Sequence, residues 1–261
     1  IKGMFNKGRF VDAFIYFVLY LHFKITANRY WLYQYILKDE PNFPIAFDLA
    51  VAYAGPSQAI DYYISKKVHA KKKVGWIHFD ILKFGIDQGM TRQLYKTYNK
   101  IFVVSKVAKE HFDQVFPDFK NKTEIFYNVV SPIEVQKQAD SDVSFDDDFS
   151  GKRILTVGRI SPEKGQNYAI EALKILVEKG YPVKWYFVGD GSFRKDCEEL
   201  VLKYQLEEYV VFLGTKKNPY PYMKDCDIYV QPSRHEGYCI TLAEAKVFGM
   251  PIVVTDFVGA R

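Results

Sequence analysis

The chain has 261 residues, 48% hydrophobic and 26% charged, which is enough apolar material for two ordinary domain cores and argues against a disordered chain. Its three cysteines, Cys197, Cys226 and Cys239, fall in mid-element positions and show no metal-ligand spacing, so a disulfide framework is disfavoured and a reducing compartment suits the sequence better. The formal charge of +5 is uneven: residues 1–100 hold 15 Lys and Arg against 7 Asp and Glu, a balance that suits an anionic surface but that solvated lysines also produce.

Residues 10–38 form an aromatic-rich stretch that reads as helical, with Lys2, Lys7, Arg9, Lys24 and Arg29 around its apolar part. The continuous apolar run Ala13 to Phe23 is about half the roughly 20 residues a membrane span needs, and no small-residue cleavage site follows it. Two readings remain, a buried core helix or an amphipathic helix lying in a bilayer interface. From Phe47 strands and helices alternate: strand 49–53, helix 57–66, strand 73–78, helix 91–100, strand 101–104, helix 106–115 with Ser105 as its N-cap, and strand 123–127. Such alternation implies right-handed βαβ units and a parallel sheet.

The next stretch, residues 131–152, carries Asp140, Asp142 and the run Asp146 to Asp148 among serines and reads as a linker. An acidic calcium loop is the sharper alternative, but the glycine and the twelfth-position glutamate are missing. The expected division is therefore a first domain over 1–132, a linker over 133–152 and a second domain over 153–261. In that last part, strands are expected at 153–157, 185–188, 210–213, 228–230 and 252–254, and Ala169, Ala172, Leu173 and Leu176 mark one face of an intervening helix. The pattern is that of a Rossmann-like sheet, which binds ligands at the carboxyl ends of its strands.

Those strand ends hold the candidate site residues. The first ends in Gly158-Arg159, with Lys164-Gly165 close behind, where glycine permits close backbone approach and two cations are available to a diphosphate. The second ends in Gly189-Asp190-Gly191 and the third in Gly214-Thr215-Lys216. The fourth runs through Pro232-Ser233 to Glu236, and Glu244 follows eight positions later across a strand-to-helix junction. The free N–H groups of Gly237, Cys239, Ile240 and Thr241 are candidates for a phosphate cradle, although glutamates near a helix start are also common because they complement its dipole. In the first domain His78 closes a strand, while His69 and His111 read as surface residues on helices.

Pro-Ser-x-x-Glu236-Gly, then Glu244-Ala, then Gly249-x-Pro-Ile-Val-Val-Thr255 resembles the signature of family 4 of the retaining glycosyltransferases, enzymes of the α/β GT-B fold with two Rossmann-like domains. Gly158-Arg159 with Lys164-Gly165 resembles its donor-diphosphate motif, Gly189-x-Gly191 its glycine loop, and Trp76-Ile-His78-x-Asp80 its first-domain strand end. The resemblance implies that Glu244 holds the ribose of a nucleotide sugar, that Glu236 lies beside the donor sugar and phosphates, and that His78 faces the sugar. It also places the base on backbone groups near Thr215. It covers nearly all of 45–261 and implies a chain truncated at both ends, since Ile1 is no strand start and Gly259-Ala-Arg261 stops where a helix is expected.

The function it implies is retaining, metal-independent hexosyl transfer from a nucleotide-diphosphate sugar to a lipid-linked or polysaccharide acceptor, without further cofactor. The corresponding place is cytoplasmic, peripheral on the inner face of the plasma membrane, with an anionic membrane surface as partner. A non-catalytic subunit of the same fold, binding glycan or a partner glycosyltransferase, is the alternative, but it would normally lack the cations or the glutamate pair that are present here. An epimerase would need first-domain acids that are not found, and no recognition motif supports nucleic acid as a partner.

Overall fold

In a computed structural model, which describes residues 10–56, 59–83, 85–141 and 145–257, the chain divides into two compact units, Ile1–Tyr127 and Asn128–Arg261. Lys2, Lys7, Arg9, Ser57, Asp142 and Gly259 to Arg261 lie outside the described residues.

The first unit begins with helices α1 (Phe10–Thr26) and α2 (Tyr30–Ile36). It continues with β1 (Ala46–Gly55), α3 (Ala59–Lys66), β2 (His69–Ile77), α4 (Gln88–Tyr95), β3 (Lys100–Val103), α5 (Lys106–Val115) and β4 (Thr123–Ile125). Its strands make one parallel sheet in the order β1-β2-β3-β4. Leu94, Tyr95, Ile101, Val103, Phe112 and Phe116 are buried in its core. Ser105 caps α5 as its sequence position suggests, accepting from the Ala108 N–H at 3.1 Å.

Three expectations for this unit are corrected. Helix α4 starts at Gln88 because Asp87 caps it, accepting from the Met90 N–H at 2.7 Å, and it ends at Tyr95, where the Thr97 hydroxyl takes the Leu94 carbonyl at 2.7 Å. His69 is the first residue of β2, not a helical residue, and Lys71 to Lys73 belong to the same strand; pairing with β1 from Ala46 onward draws them into the ladder, which is indifferent to exposed side chains. Finally, α1 is not a buried core helix. Only Ala13 on it is buried, and Phe10, Phe14, Phe17, Leu21 and Ile25 are exposed; Asp12 ties it to α2 through Tyr35 and Lys38. Among the described residues no helix is long and apolar enough to cross a membrane.

The second unit contains α6 (Pro132–Ala139), β5 (Lys152–Val157), α7 (Gln166–Glu178), β6 (Val183–Val188), α8 (Arg194–Lys203), β7 (Val210–Gly214), α9 (Tyr220–Asp225), β8 (Ile228–Gln231), α10 (Ile240–Ala245) and β9 (Ile252–Val254). Its parallel sheet runs β7-β6-β5-β8-β9. Alternation along each strand builds two cores: Ile154, Trp185 and Phe187 pack with α7 and α8 residues such as Leu173 and Val201, while Leu155, Tyr186 and Val188 pack with Met223 and Leu242.

The described part of the stretch read as a linker holds a helix and a bridged acid. Ser131 caps α6 and Pro132 opens it, Val135 and Ala139 are buried, and Asn218 and Lys224 bind Gln138 and Asp140 at its end. Asp147 accepts from Arg153 at 2.9 Å, Lys184 at 3.3 Å and the Tyr186 hydroxyl at 2.6 Å. Burial alone would raise its pKa, but the Tyr186, Arg153 and Lys184 donors outweigh burial and hold the carboxyl at about 2. The acidic composition that looked like linker serves as a clamp on β5 and β6.

Candidate functional site

The site is built where β5, β6 and β8 end side by side. Parallel pairing puts those carboxyl ends on one edge of the sheet, and their exit loops are stitched by backbone bonds: Gly158 N–H to Val188 O at 2.9 Å, Gly189 N–H to Gly214 O at 2.8 Å, and Ile160 N–H to Asp190 O at 3.0 Å. Gly189, with φ of 141°, lies so close to the first loop that a Cβ there would stand 2.0 Å from Gly158 O. Gly191 likewise faces Ile160 O. A cavity of about 320 Å³ opens at this edge, lined by Gly158, Arg159, Gly189, Asp190, Thr215 and Lys216 among others. Arg159 is exposed, and Gln166 holds its backbone carbonyl at 2.8 Å.

The β5 loop also reaches the exit of β8. Gly165 adopts φ of 69° with its Cα packed against Pro232, where a Cβ would lie 2.0 Å from the carbonyl oxygen, and the Arg234 N–H donates to Glu163 O at 2.8 Å. This sets Lys164 Nζ 2.6 Å from Glu236 Oε1, with side-chain exposures of 25% and 10%. The two residues are 72 positions apart in sequence. Ser233 Oγ donates to the same Oε1 at 2.7 Å.

After Gly237 the chain turns sharply at Cys239, whose φ is 48°, and enters α10, which carries Ile240, Thr241 and Glu244. Ile240 is exposed, while the Cys239 thiol is buried and pushed up to about 11 by that burial. Helix α10 ends at Ala245, and a 3₁₀ turn at Lys246–Phe248 carries the chain to Gly249. Glu244 accepts from the Tyr220 hydroxyl at 2.9 Å. Burial raises the Glu244 pKa, partly offset by that bond, and Tyr220 is pushed up to about 12 by burial and by the carboxylate.

In the first unit, His78 follows β2 directly. Its ring lies parallel to Trp76 at 6.1 Å and 4.3 Å from Tyr53, with Nε2 buried and unpartnered. Burial lowers its pKa, only partly countered by a bond to the Tyr53 backbone, so the imidazole is neutral near pH 7. His111 is not a bare surface residue: its Nδ1 lies 2.8 Å from Oδ1 of Asp80, which is 2% exposed and also accepts from the Leu82 N–H. Sequence reasoning gave no role to His111, Tyr220, Gln231 or Ser233. Only Ser233 had a signal, its place within the Pro-Ser motif.

Comparison with known proteins shows what this arrangement is similar to. Residues 143–261 match the family profile described as glycosyl transferases group 1. An uncharacterized glycosyltransferase of Methanocaldococcus jannaschii is 30% identical over 171 residues, covering 63% of this chain and 41% of the relative. The N-acetylgalactosamine-N,N'-diacetylbacillosaminyl-diphospho-undecaprenol 4-alpha-N-acetylgalactosaminyltransferase of Campylobacter jejuni is 31% identical over 163 residues, covering 62% and 43%. The chain thus spans about two fifths of the length of these relatives. Among solved structures, Anabaena HepE in complex with UDP aligns with a TM-score of 0.63 at 20% identity, over 88% of this chain and 64% of that one. That likeness shows the fold, two parallel α/β units of the GT-B kind.

The close approach at Gly189 gives a stability prediction. Gly189→Ala combines a strained φ with a backbone clash and should cost roughly 1–3 kcal/mol or more, read as a lower midpoint in urea unfolding followed by tryptophan fluorescence.

Proposed function

We propose, from the match of residues 143–261 to the profile of group 1 glycosyl transferases, that the chain transfers a hexose, with retention, from a nucleoside diphosphate sugar to a lipid-linked or polysaccharide acceptor. The observation that carries the reading is the meeting of Lys164 and Glu236 at 2.6 Å beside the loop of Gly158 and Arg159. It gathers a cation, a carboxylate and close-packed backbone at one sheet edge, the chemistry a diphosphate sugar requires.

In this mechanism Arg159 and Lys164 stabilise the negative charge that grows on the diphosphate as its bond to the sugar C1 breaks, so they favour the transition state over the ground state. The acceptor oxygen bonds to C1 on the same face, and its proton passes to the departing phosphate oxygen. Metal is not needed for this charge balance. Glu244, already hydrogen-bonded to Tyr220, takes the ribose hydroxyls, and Glu236 takes the donor sugar. HepE was solved with UDP, which makes uridine diphosphate sugars the first donors to test, and the Campylobacter relative's name gives a diphospho-undecaprenol acceptor.

A lipid-linked acceptor also gives the exposed apolar side of α1 a use. We place this helix on the cytoplasmic face of an anionic membrane, supported by Lys24 and Arg29 at its end and by the basic first hundred residues. Each basic residue near such a surface adds on the order of 1 kcal/mol.

Three measurements test the proposal. Glu244→Ala should weaken UDP binding by about 1.5–3 kcal/mol in calorimetry, roughly ten- to a hundredfold, and unchanged affinity in a folded variant would remove the ribose assignment. Arg159→Ala and Lys164→Ala should each lower kcat at saturating donor; wild-type turnover in both would make the loop purely structural. Sedimentation with vesicles containing anionic lipid should show binding that falls as salt rises, with little binding to neutral vesicles, and equal binding to both would take the membrane out of the account.

A further inference from the structure

Behind Glu236 runs a continuous chain of buried hydrogen bonds that no motif indicates. Tyr229, Gln231 and Ser233 alternate along the end of β8 and its exit, so all three side chains lie on one face, and none is more than 1% exposed. The Tyr229 hydroxyl donates to Gln231 Oε1 at 2.8 Å, and the Thr241 hydroxyl, from the first turn of α10, donates to the same oxygen at 3.3 Å. Gln231 Nε2 then donates to Ser233 Oγ at 2.8 Å, and Ser233 Oγ donates to Glu236 Oε1 at 2.7 Å, beside Lys164.

The direction of this chain is fixed by proton inventory. A carboxylate paired with Lys164 only accepts, so the single Ser233 proton points at Glu236, and the serine must receive its own bond from an amide N–H. That turns the Gln231 oxygen toward Tyr229 and Thr241, both hydroxyl donors. Burial raises the Tyr229 pKa, so this donor is kept at all working pH values. Both named bonds to Glu236 fall on Oε1, which leaves Oε2 as the oxygen presented to a ligand.

We infer that Gln231 and Ser233 are positioning residues: the relay Tyr229/Thr241–Gln231–Ser233 fixes the orientation of Glu236, and through it Lys164, and couples both to the start of α10. The inference rests on the proposed function for its catalytic consequence, but its geometric content does not. The links from Tyr229 through Gln231 and Ser233 to Glu236 are 2.7 to 2.8 Å long, so loss of one of them frees the Glu236 carboxylate to rotate and loosens the amine that it holds. Because Thr241 shares the Gln231 oxygen, a ligand engaging the α10 entrance is felt at Glu236 through bonds and not through bulk motion.

The first test needs no donor. Amine acetylation of the full chain by an N-hydroxysuccinimide acetate ester is followed peptide by peptide, comparing Lys164 with Lys184, which is similarly shielded at 21% exposure but held by Asp147 outside the relay. In Ser233→Ala and in Gln231→Glu, which keeps the side-chain shape and as a carboxylate has no donor for Ser233, Lys164 labelling should rise about two- to tenfold while Lys184 stays constant. Ser233→Thr, which keeps the hydroxyl, should return Lys164 towards wild type. Unchanged Lys164 labelling in either folded variant overturns the relay, and so does a parallel rise at Lys184, which would show general loosening.

The second test reads UDP release from UDP-glucose and UDP-N-acetylglucosamine. Ser233→Ala and Gln231→Glu should lower kcat by roughly ten- to a hundredfold with donor KM nearly constant. If Glu236→Gln abolishes turnover while the relay variants do not, the relay fails and the proposed function stands. If Glu236→Gln also keeps the wild-type rate, the role of Glu236 itself fails.

Discussion

The second unit depends on β5 lying between β6 and β8 in parallel register. Leu155 sits opposite both Tyr186 and Tyr229, so the three strands leave the sheet together and three exit loops occupy one small region. Burial of the flanking side chains in two separate cores holds that register, because a slip by one residue would move Ile154 and Leu155 to the wrong faces. Loops fixed in this way approach one another more closely than side chains permit, and glycine is the residue that tolerates it at 165 and 189.

Charge is then placed where water is scarce. A lysine and a glutamate that are both largely covered have each lost hydration, and the Ser233 hydroxyl offsets part of that loss by donating to the same Glu236 oxygen that Lys164 holds. Glu236 and Glu244 differ in the same respect: one is paired with a cation, the other accepts a hydrogen bond from a phenol, and burial raises the pKa of the second. Two carboxylates eight residues apart are thereby prepared for different partners, one near cations and one near neutral hydroxyls.

The first unit carries a different arrangement. Its aromatic core around Tyr95 and Phe112 is well covered, whereas α1 contributes only Ala13 to the interior. A helix apolar on most sides is stable in water only when something covers it.

Local pattern was enough for much of this protein. Apolar runs such as Ile101 to Val104 and Trp185 to Val188 become strands because a fully buried parallel strand has no other signature, and Ser105 caps a helix because its oxygen needs only the next turn. The spacing of Glu236, Glu244, Arg159 and Lys164 likewise marked them as candidates and pointed to the family. What sequence could not supply were contacts between distant segments. Lys164 with Glu236, Tyr220 with Glu244 and His111 with Asp80 are set by which loops the sheet order makes neighbours. Residues 131–152 were read as linker for the same reason: Asp147 looks solvated until β5 and β6 bring Arg153, Lys184 and Tyr186 around it, and α6 is apolar on too narrow a face to be seen without its partner. Propensity and spacing act within a turn or two of chain, so the sequence by itself determined the elements and the candidate residues, while the register of β5 decided which of those residues meet.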